Sequence, residues 1–154
     1  MSSNSQHELY QQVILDHNKK PQNFGKIEKP THFAEGYNPL CGDHVQVYLD
    51  VNDKGIIMDI RFEGSGCAIS KASASMMTSA LKGKTMDEAK KTFDEFHQLV
   101  IGNLKPDEKN HVLGKLTIFS GIWQYPSRVK CAILSWYAMK GALDNIKSVS
   151  TEKD

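Results

Sequence analysis

The chain has 154 residues, of which 40% are hydrophobic and 24% are charged, and its formal net charge is +1. This length and apolar content suit a single domain with one hydrophobic core, formed by residues 1–154. The near-neutral charge argues against nucleic acid as a partner, because proteins that neutralise phosphates carry a basic excess. No apolar run approaches the roughly 20 residues that span a bilayer, and the amino terminus lacks a secretory-signal pattern. We therefore expect a soluble, cytoplasmic protein.

The first predicted element is a helix that opens on a capping-box pattern at 5–8, Ser-Gln-His-Glu. Apolar residues at helical spacing continue as far as His17, and the helix ends before Pro21. His17 lies on the inward stripe of this helix. We interpret it as a packing or capping residue rather than a metal ligand.

A β-hairpin is predicted next, after an irregular region at 22–40 that includes a short strand at 31–35. Residues 44–51 alternate with period two, and 52–55 form a turn cluster of Asn, Asp, Lys and Gly. Residues 56–63 return as the partner strand. An isolated hairpin is marginally stable, so these strands need a third strand or a layer of helices.

Helical periodicity dominates the rest of the chain. We predict helices over 67–81, from a capping box at 85–88 to Val100, over 113–123, and from Pro126 onward. The polar tail, 148–154, is predicted to fray. Strands followed by helices, without βαβ alternation, predict an α+β fold with a small antiparallel sheet of about three strands covered by helices.

The strongest chemical signal is a set of three cysteines, each at a predicted structural boundary. Cys41 precedes the hairpin, Cys67 begins a helix, and Cys131 lies one to two turns inside the last helix. An odd number of cysteines cannot form a closed disulfide framework. Residues two apart in extended chain project to the same side, so Asp43 can face the same point as Cys41. Three thiolates and one carboxylate suit Zn²⁺, and three buried structural cysteines are the alternative.

The charges around these cysteines lead to two further expectations. Amides at a helix N-terminus stabilise anions, so we expect lowered thiol pKa values for Cys67 and also for Cys131. Arg128 and Lys130 add positive charge beside Cys131 that could offset the negative charge of a bound-metal site. His44 is interpreted as a strand-surface residue.

The chain resembles the IscU/SufU superfamily of iron–sulfur assembly proteins in three segments that contain the cysteines. These are C-G-D at 41–43, G-S-G-C at 64–67 and P-S-R-V-K-C-A at 126–132. The resemblance runs from E-L-Y-Q-Q-V-I-L-D-H-N-K-K-P at 8–21 to W-Y-A-M-K-G-A-L at 136–143. It implies an IscU/SufU-like fold for nearly the whole chain.

Two features are more similar to the SufU branch than to the IscU branch. IscU-type chains carry histidine immediately before the third cysteine, where this chain has Lys130, and they lack the extra stretch around 104–123. The resemblance to SufU implies a zinc-dependent sulfurtransferase of iron–sulfur cluster biogenesis. Such a protein accepts persulfide sulfur from a SufS-type cysteine desulfurase and passes it to downstream Suf scaffold proteins.

The same resemblance assigns roles to individual residues. It implies that Arg128 assists sulfur transfer or partner docking. Our own choice of persulfide acceptor is Cys41, ahead of Cys131, because Gly42 leaves it accessible and Asp43 shares its flexible segment. Two alternatives stay open: an IscU-like scaffold that assembles a transient [2Fe–2S] cluster, and a purely structural zinc module. Four side chains would bind the zinc: Cys41, Asp43, Cys67 and Cys131.

Overall fold

The computed structural model describes residues 3–108 and 111–152, and it confirms the predicted α+β class. The elements in chain order are α1 (Ser3–Lys19), β1 (His32–Asn38), β2 (Asp43–Val51), β3 (Ile57–Ser65), α2 (Ala68–Leu81), α3 (Met86–Val100), two 3₁₀ helices (Gly114–Phe119 and Ile122–Gln124), α4 (Pro126–Leu143) and β4 (Ser148–Ser150).

The strands form one mixed sheet in the order β3-β2-β1-β4. The β1–β2 and β2–β3 pairs are antiparallel, whereas β4 pairs with β1 in parallel. The prediction of about three antiparallel strands is therefore corrected to four strands, because part of the predicted frayed tail forms β4. The sequence did not predict β4 because a three-residue strand with one apolar side chain, Val149, shows no alternating pattern. Its formation also depends on pairing with β1, which is distant in the sequence. Residues 153–154 of the predicted tail lie outside the described residues.

β1 covers 32–38, whereas the sequence predicted only 31–35. Its buried positions alternate as Ala34, Gly36 and Asn38. The prediction stopped short because none of these inward residues is a large apolar side chain. The longer strand carries Asn38 to within three residues of Cys41.

The helices begin near their predicted starts. α1 begins ahead of Ser5, and the side chains of the predicted capping box at 5–8 lie outside the described residues. The capping box of α3 is confirmed, since the Thr85 side chain accepts from the Glu88 amide and the Glu88 side chain accepts from the Thr85 amide. The predicted helix over 113–123 is instead two 3₁₀ segments, because Gly121 between them adopts a left-handed conformation with φ of 86°.

The core is organised around α4. Trp136 is wholly buried and stacks on Phe96 of α3 with ring centroids 4.5 Å apart. Its indole Nε1 donates to Ser73 Oγ on α2 at 3.1 Å. One side chain thus joins three helices. No helix in residues 3–108 and 111–152 combines the length and the hydropathy needed to cross a membrane.

α4 approaches β1 closely at Gly36. A Cβ atom at this position would lie 3.0 Å from Leu134 Cδ1 and 3.2 Å from Val45 Cγ1. The absence of a side chain at Gly36 lets the helix lie directly on the sheet. Cys131, one turn before Leu134, is thereby held at the end of β1.

We expect Leu134→Ala to lower the free energy of unfolding by about 2–5 kcal/mol, because it leaves a cavity beneath α4. Leu134 is 0% exposed, whereas Leu15 on α1 is 49% exposed. The matched control Leu15→Ala should change stability by about 0.5 kcal/mol or less. Denaturant unfolding of both variants measures the difference, and equal losses would contradict the packing of α4 described here.

Candidate metal centre

Three of the four predicted ligands converge at one end of the sheet. Cys41, Asp43 and Cys131 each offer one ligand atom, and these atoms all lie within 4.8 Å of one another. The Sγ atoms of Cys41 and Cys131 are 3.8 Å apart. The turn before β2 supplies Cys41, the first residue of β2 is Asp43, and α4 supplies Cys131. These three residues could hold a metal ion.

Cys67 lies beside this group but is not one of its three members. It is the N-cap of α2, and its Sγ accepts from the Ser70 amide at 3.4 Å. The Cys67 amide donates to Asp43 Oδ1 at 2.9 Å. The fourth predicted ligand is therefore tied to the site by its backbone amide, and its thiol, which caps α2, also interacts with Cys131.

Cys67 and Cys131 interact, and their pKa values move in opposite directions. A hydrogen bond with Cys131 and the backbone amides of Ser70 and Ile69 together lower the pKa of Cys67 to about 7, against the effects of burial and of the negative charge of Asp43. The predicted lowering for Cys67 is confirmed. For Cys131 it is wrong: the hydrogen bond with Cys67, burial, and the negative charges of Cys67 and Asp43 raise its pKa.

The Asp43 carboxylate is 2% exposed and both of its oxygens are occupied. Oδ1 accepts from the Cys67 amide, and Oδ2 accepts from Asn38 Nδ2 at 3.0 Å. A Cβ atom at Gly66 would lie 2.3 Å from Asp43 Oδ1. The glycine before Cys67 therefore makes the room that the carboxylate fills.

Asn38 is part of the site, although it was not predicted from the sequence. It is wholly buried, and its Nδ2 atom also lies 3.7 Å from Cys131 Sγ. Its Oδ1 atom accepts from Thr151 Oγ1 at 3.1 Å. The signal that could have revealed it is a polar residue at an inward position of β1, three residues before Cys41.

The three cysteines predicted as ligands differ in their access to solvent. Cys41 is exposed, Cys67 is half-buried and Cys131 is buried. Leu40, next to Cys41, is 64% exposed, and a Cβ atom at Gly42 would meet nothing within 4 Å. Cys41 is thus the accessible thiol of the site.

The positive side chains predicted beside Cys131 have other partners. Arg128 lies over the Tyr125 ring, 4.5 Å from its centroid, and lines a groove of about 850 Å³ together with Tyr10. Lys130 forms an ion pair with Glu152. Arg128 does not belong to the group of ligand atoms, and the charge of Lys130 is compensated outside it.

His17 and His44 occupy the kinds of position predicted for them, His17 between two helices and His44 on the surface of a strand. His44 stacks on Tyr37 with centroids 4.5 Å apart, and its Nε2 atom lies 3.8 Å from Glu35 Oε2. His17 Nδ1 is 2.7 Å from Ser75 Oγ and so links α1 to α2. Neither belongs to the group formed by Cys41, Asp43 and Cys131.

This arrangement defines a class of protein: an α+β fold that gathers thiols and one carboxylate at the end of a small sheet. Thiolate and carboxylate donors in a group of this size fit Zn²⁺. Residues 9–132 match the model of the NifU-like N terminal domain. The chain belongs to this family, in the superfamily that contains IscU and SufU.

Curated relatives of this chain carry two kinds of name. The zinc-dependent sulfurtransferase SufU of Bacillus subtilis is 40% identical over 132 residues, covering 86% of this chain and 87% of that protein. The iron–sulfur cluster assembly scaffold protein IscU of Streptococcus pyogenes is 38% identical over 135 residues, covering 88% and 82%.

Solved structures share the fold. A proposed iron–sulfur cluster assembly scaffold protein for the SUF system from Fervidobacterium islandicum matches with a TM-score of 0.80 and 38% identity, over 89% of this chain and 98% of that one. The N-terminal part of a nitrogen-fixing NifU-like protein from Brucella abortus matches with a TM-score of 0.78 and 26% identity, over 89% and 93%.

We expect Gly66→Ala to weaken Zn²⁺ binding by at least about tenfold, because the new Cβ atom would displace the Asp43 carboxylate. Gly25→Ala is the matched control: Gly25 has φ of 141° and Gly66 has φ of 157°, but a Cβ atom at Gly25 meets nothing within 4 Å. Competition with a chromogenic chelator measures both affinities. Equal affinities would contradict the placement of Asp43 in the metal site.

Proposed function

We propose that this chain is a zinc-dependent sulfurtransferase of cytoplasmic iron–sulfur cluster assembly. It accepts persulfide sulfur from a SufS-type cysteine desulfurase and passes it to a downstream Suf scaffold protein. The observation that supports this most is the contrast within the site, where the exposed thiol of Cys41 lies beside the buried Asp43 and Cys131. The name of the Bacillus subtilis relative points the same way.

The proposed metal ligands are the four residues predicted from the sequence. Three of them already form one group, and Cys67 is joined to Asp43 by its amide. Bound zinc would hold the sulfur ligands as thiolates near neutral pH. The four ligands are Cys41, Asp43, Cys67 and Cys131.

In the proposed reaction the thiolate of Cys41 attacks the terminal sulfur of the desulfurase's cysteine persulfide. A new S–S bond forms at Cys41, the S–S bond of the persulfide breaks, and the desulfurase cysteine leaves as a thiolate. Cys41 suits this step because it is exposed and lies in the turn between β1 and β2. Asp43 and Cys131 suit the holding role because they are buried on strand and helix.

The second candidate function is an IscU-like scaffold that assembles a transient [2Fe–2S] cluster, and the relatives named IscU support it. Lys130 argues against this alternative. It occupies the position before Cys131, and its ammonium group is paired with Glu152. Cysteine thiolates and histidines hold iron–sulfur clusters, whereas an ammonium group has no lone pair to donate.

We expect Cys41→Ala to abolish both persulfide formation on the chain and stimulation of the desulfurase, because the accessible nucleophile is gone. After incubation with desulfurase and cysteine, intact-mass measurement should show one added sulfur atom on the wild type and none on this variant. Cys131→Ala removes a buried proposed ligand but leaves Cys41 in place. Comparison of the two variants therefore distinguishes loss of the metal site from loss of the sulfur acceptor.

Three outcomes would contradict the proposal. Full stimulation by Cys41→Ala would overturn the acceptor assignment. A [2Fe–2S] chromophore on the three cysteines, with function lost when zinc is bound, would favour the scaffold. Unfolding on removal of zinc, with no sulfur accepted by any cysteine, would indicate a purely structural metal site.

We expect Arg128→Ala to raise the concentration of this chain needed for half-maximal stimulation of the desulfurase by at least about fivefold, because truncating an interface arginine weakens docking. Zinc content should stay unchanged, because Arg128 contacts the Tyr125 ring rather than a ligand. Arg61→Ala is the matched control, since Arg61 is an exposed arginine on β3 paired with Asp59. Equal effects of the two substitutions would contradict a docking role for Arg128.

A further inference from the structure

The last described residues of the chain connect the two parts of the candidate metal site. We propose that residues 148–152, named here the carboxyl-terminal clasp, position the metal ligands by contacting both Asn38 and α4. This inference rests on the proposed function only in taking Zn²⁺ as the bound ion. The clasp consists of β4 followed by Thr151 and Glu152.

Backbone pairing brings the clasp to the site. β4 pairs in parallel with β1, with Gly36 opposite Val149 and Tyr37 opposite Ser150. The Thr151 amide continues this pairing by donating to the Tyr37 carbonyl at 3.0 Å. Because Asn38 follows Tyr37, the Thr151 side chain is placed against the Asn38 amide group.

The Thr151 hydroxyl completes a chain of hydrogen bonds that ends on two ligands. Thr151 Oγ1 donates to Asn38 Oδ1 at 3.1 Å, and Asn38 Nδ2 donates to Asp43 Oδ2 at 3.0 Å. The same Nδ2 atom lies 3.7 Å from Cys131 Sγ. A carboxylate oxygen accepts hydrogen bonds, so the Asn38 side chain turns its NH₂ group, not its oxygen, toward Asp43. Thr151 then satisfies the other end, which is wholly buried.

The second contact of the clasp is on the helix that carries Cys131. Glu152 forms an ion pair with Lys130 of α4. The clasp therefore touches β1 on one side of the site and α4 on the other. Cys41 and Asp43 follow β1, and Cys131 belongs to α4, so the clasp spans the two elements that bring the ligands together.

The two contacts should not carry equal weight. The Lys130 and Glu152 side chains are 35% and 33% exposed, and ion pairs with that much solvent contribute little. Thr151, by contrast, is the hydrogen-bond partner of a buried amide that itself contacts two ligands. A residue that hydrogen-bonds a metal ligand, as Asn38 does, typically changes metal affinity by about 10–100-fold. Thr151 is thus a positioning residue that acts through Asn38.

A threonine series at position 151 tests this inference. Thr151→Val keeps the side-chain shape but removes the hydroxyl, and we expect Zn²⁺ affinity, measured by chelator competition, to fall about tenfold. Thr151→Ser keeps the hydroxyl and should restore the wild-type affinity. Thr117→Val is the matched control, because the Thr117 hydroxyl donates to the Gly114 carbonyl within its own 3₁₀ helix.

A double substitution tests whether Thr151 acts through Asn38. In an Asn38→Ala background, Thr151→Val should cause no further loss of Zn²⁺ affinity, because the linking amide is absent. Wild-type affinity for Thr151→Val, or equal weakening by Thr151→Ser, would overturn the inference even if Asn38→Ala does not fold. Failure of the wild type to accept sulfur while it binds Zn²⁺ would overturn the proposed function and leave the affinity comparison intact.

Discussion

The site depends on the burial of one carboxylate. A buried acidic group is costly unless donors or cations compensate it. Asp43 has two donors, the Cys67 amide and the Asn38 side chain, from opposite sides of the site. These two bonds connect the start of α2 and the end of β1 to the first residue of β2. Gly66 is required for the same reason, because any side chain there would occupy the space of the carboxylate.

The three grouped residues differ in how the fold holds them: Asp43 and Cys131 are buried in regular elements, and Cys41 is exposed in a turn. Asp43 lies in β2, and Cys131 lies in a helix that rests on β1 through Gly36, so neither can move without disturbing the core. Cys41 is in the turn between β1 and β2, where its amide makes a 3.3 Å hydrogen bond to the Asn38 carbonyl. Under the proposed function, the thiol that attacks the partner's persulfide lies in this exposed turn, whereas the two residues proposed to hold the metal are buried.

The sequence predicted the parts of this site that follow local rules. Short stretches of sequence contain these parts. They are the cysteines near the starts of predicted elements, the glycine beside each of Cys41 and Cys67, and the period-two spacing of Cys41 and Asp43. Asn38 was not predicted because the strand that places it inward was predicted to end at residue 35. Thr151 was not predicted, because its contact with Asn38 joins residues more than a hundred positions apart. The raised pKa of Cys131 was missed for a related reason, since it arises from Cys67 and Asp43.

The charge distribution of the site favours a cation over a compensating side chain. We expected Arg128 and Lys130 to offset the negative charge of the ligands. Instead, Arg128 lies over the Tyr125 ring and Lys130 forms an ion pair with Glu152. Among the described residues, the ligand group then has amide donors but no salt bridge. Thiols and a carboxylate gathered without a paired side-chain cation can all become anionic only when a positive ion binds between them.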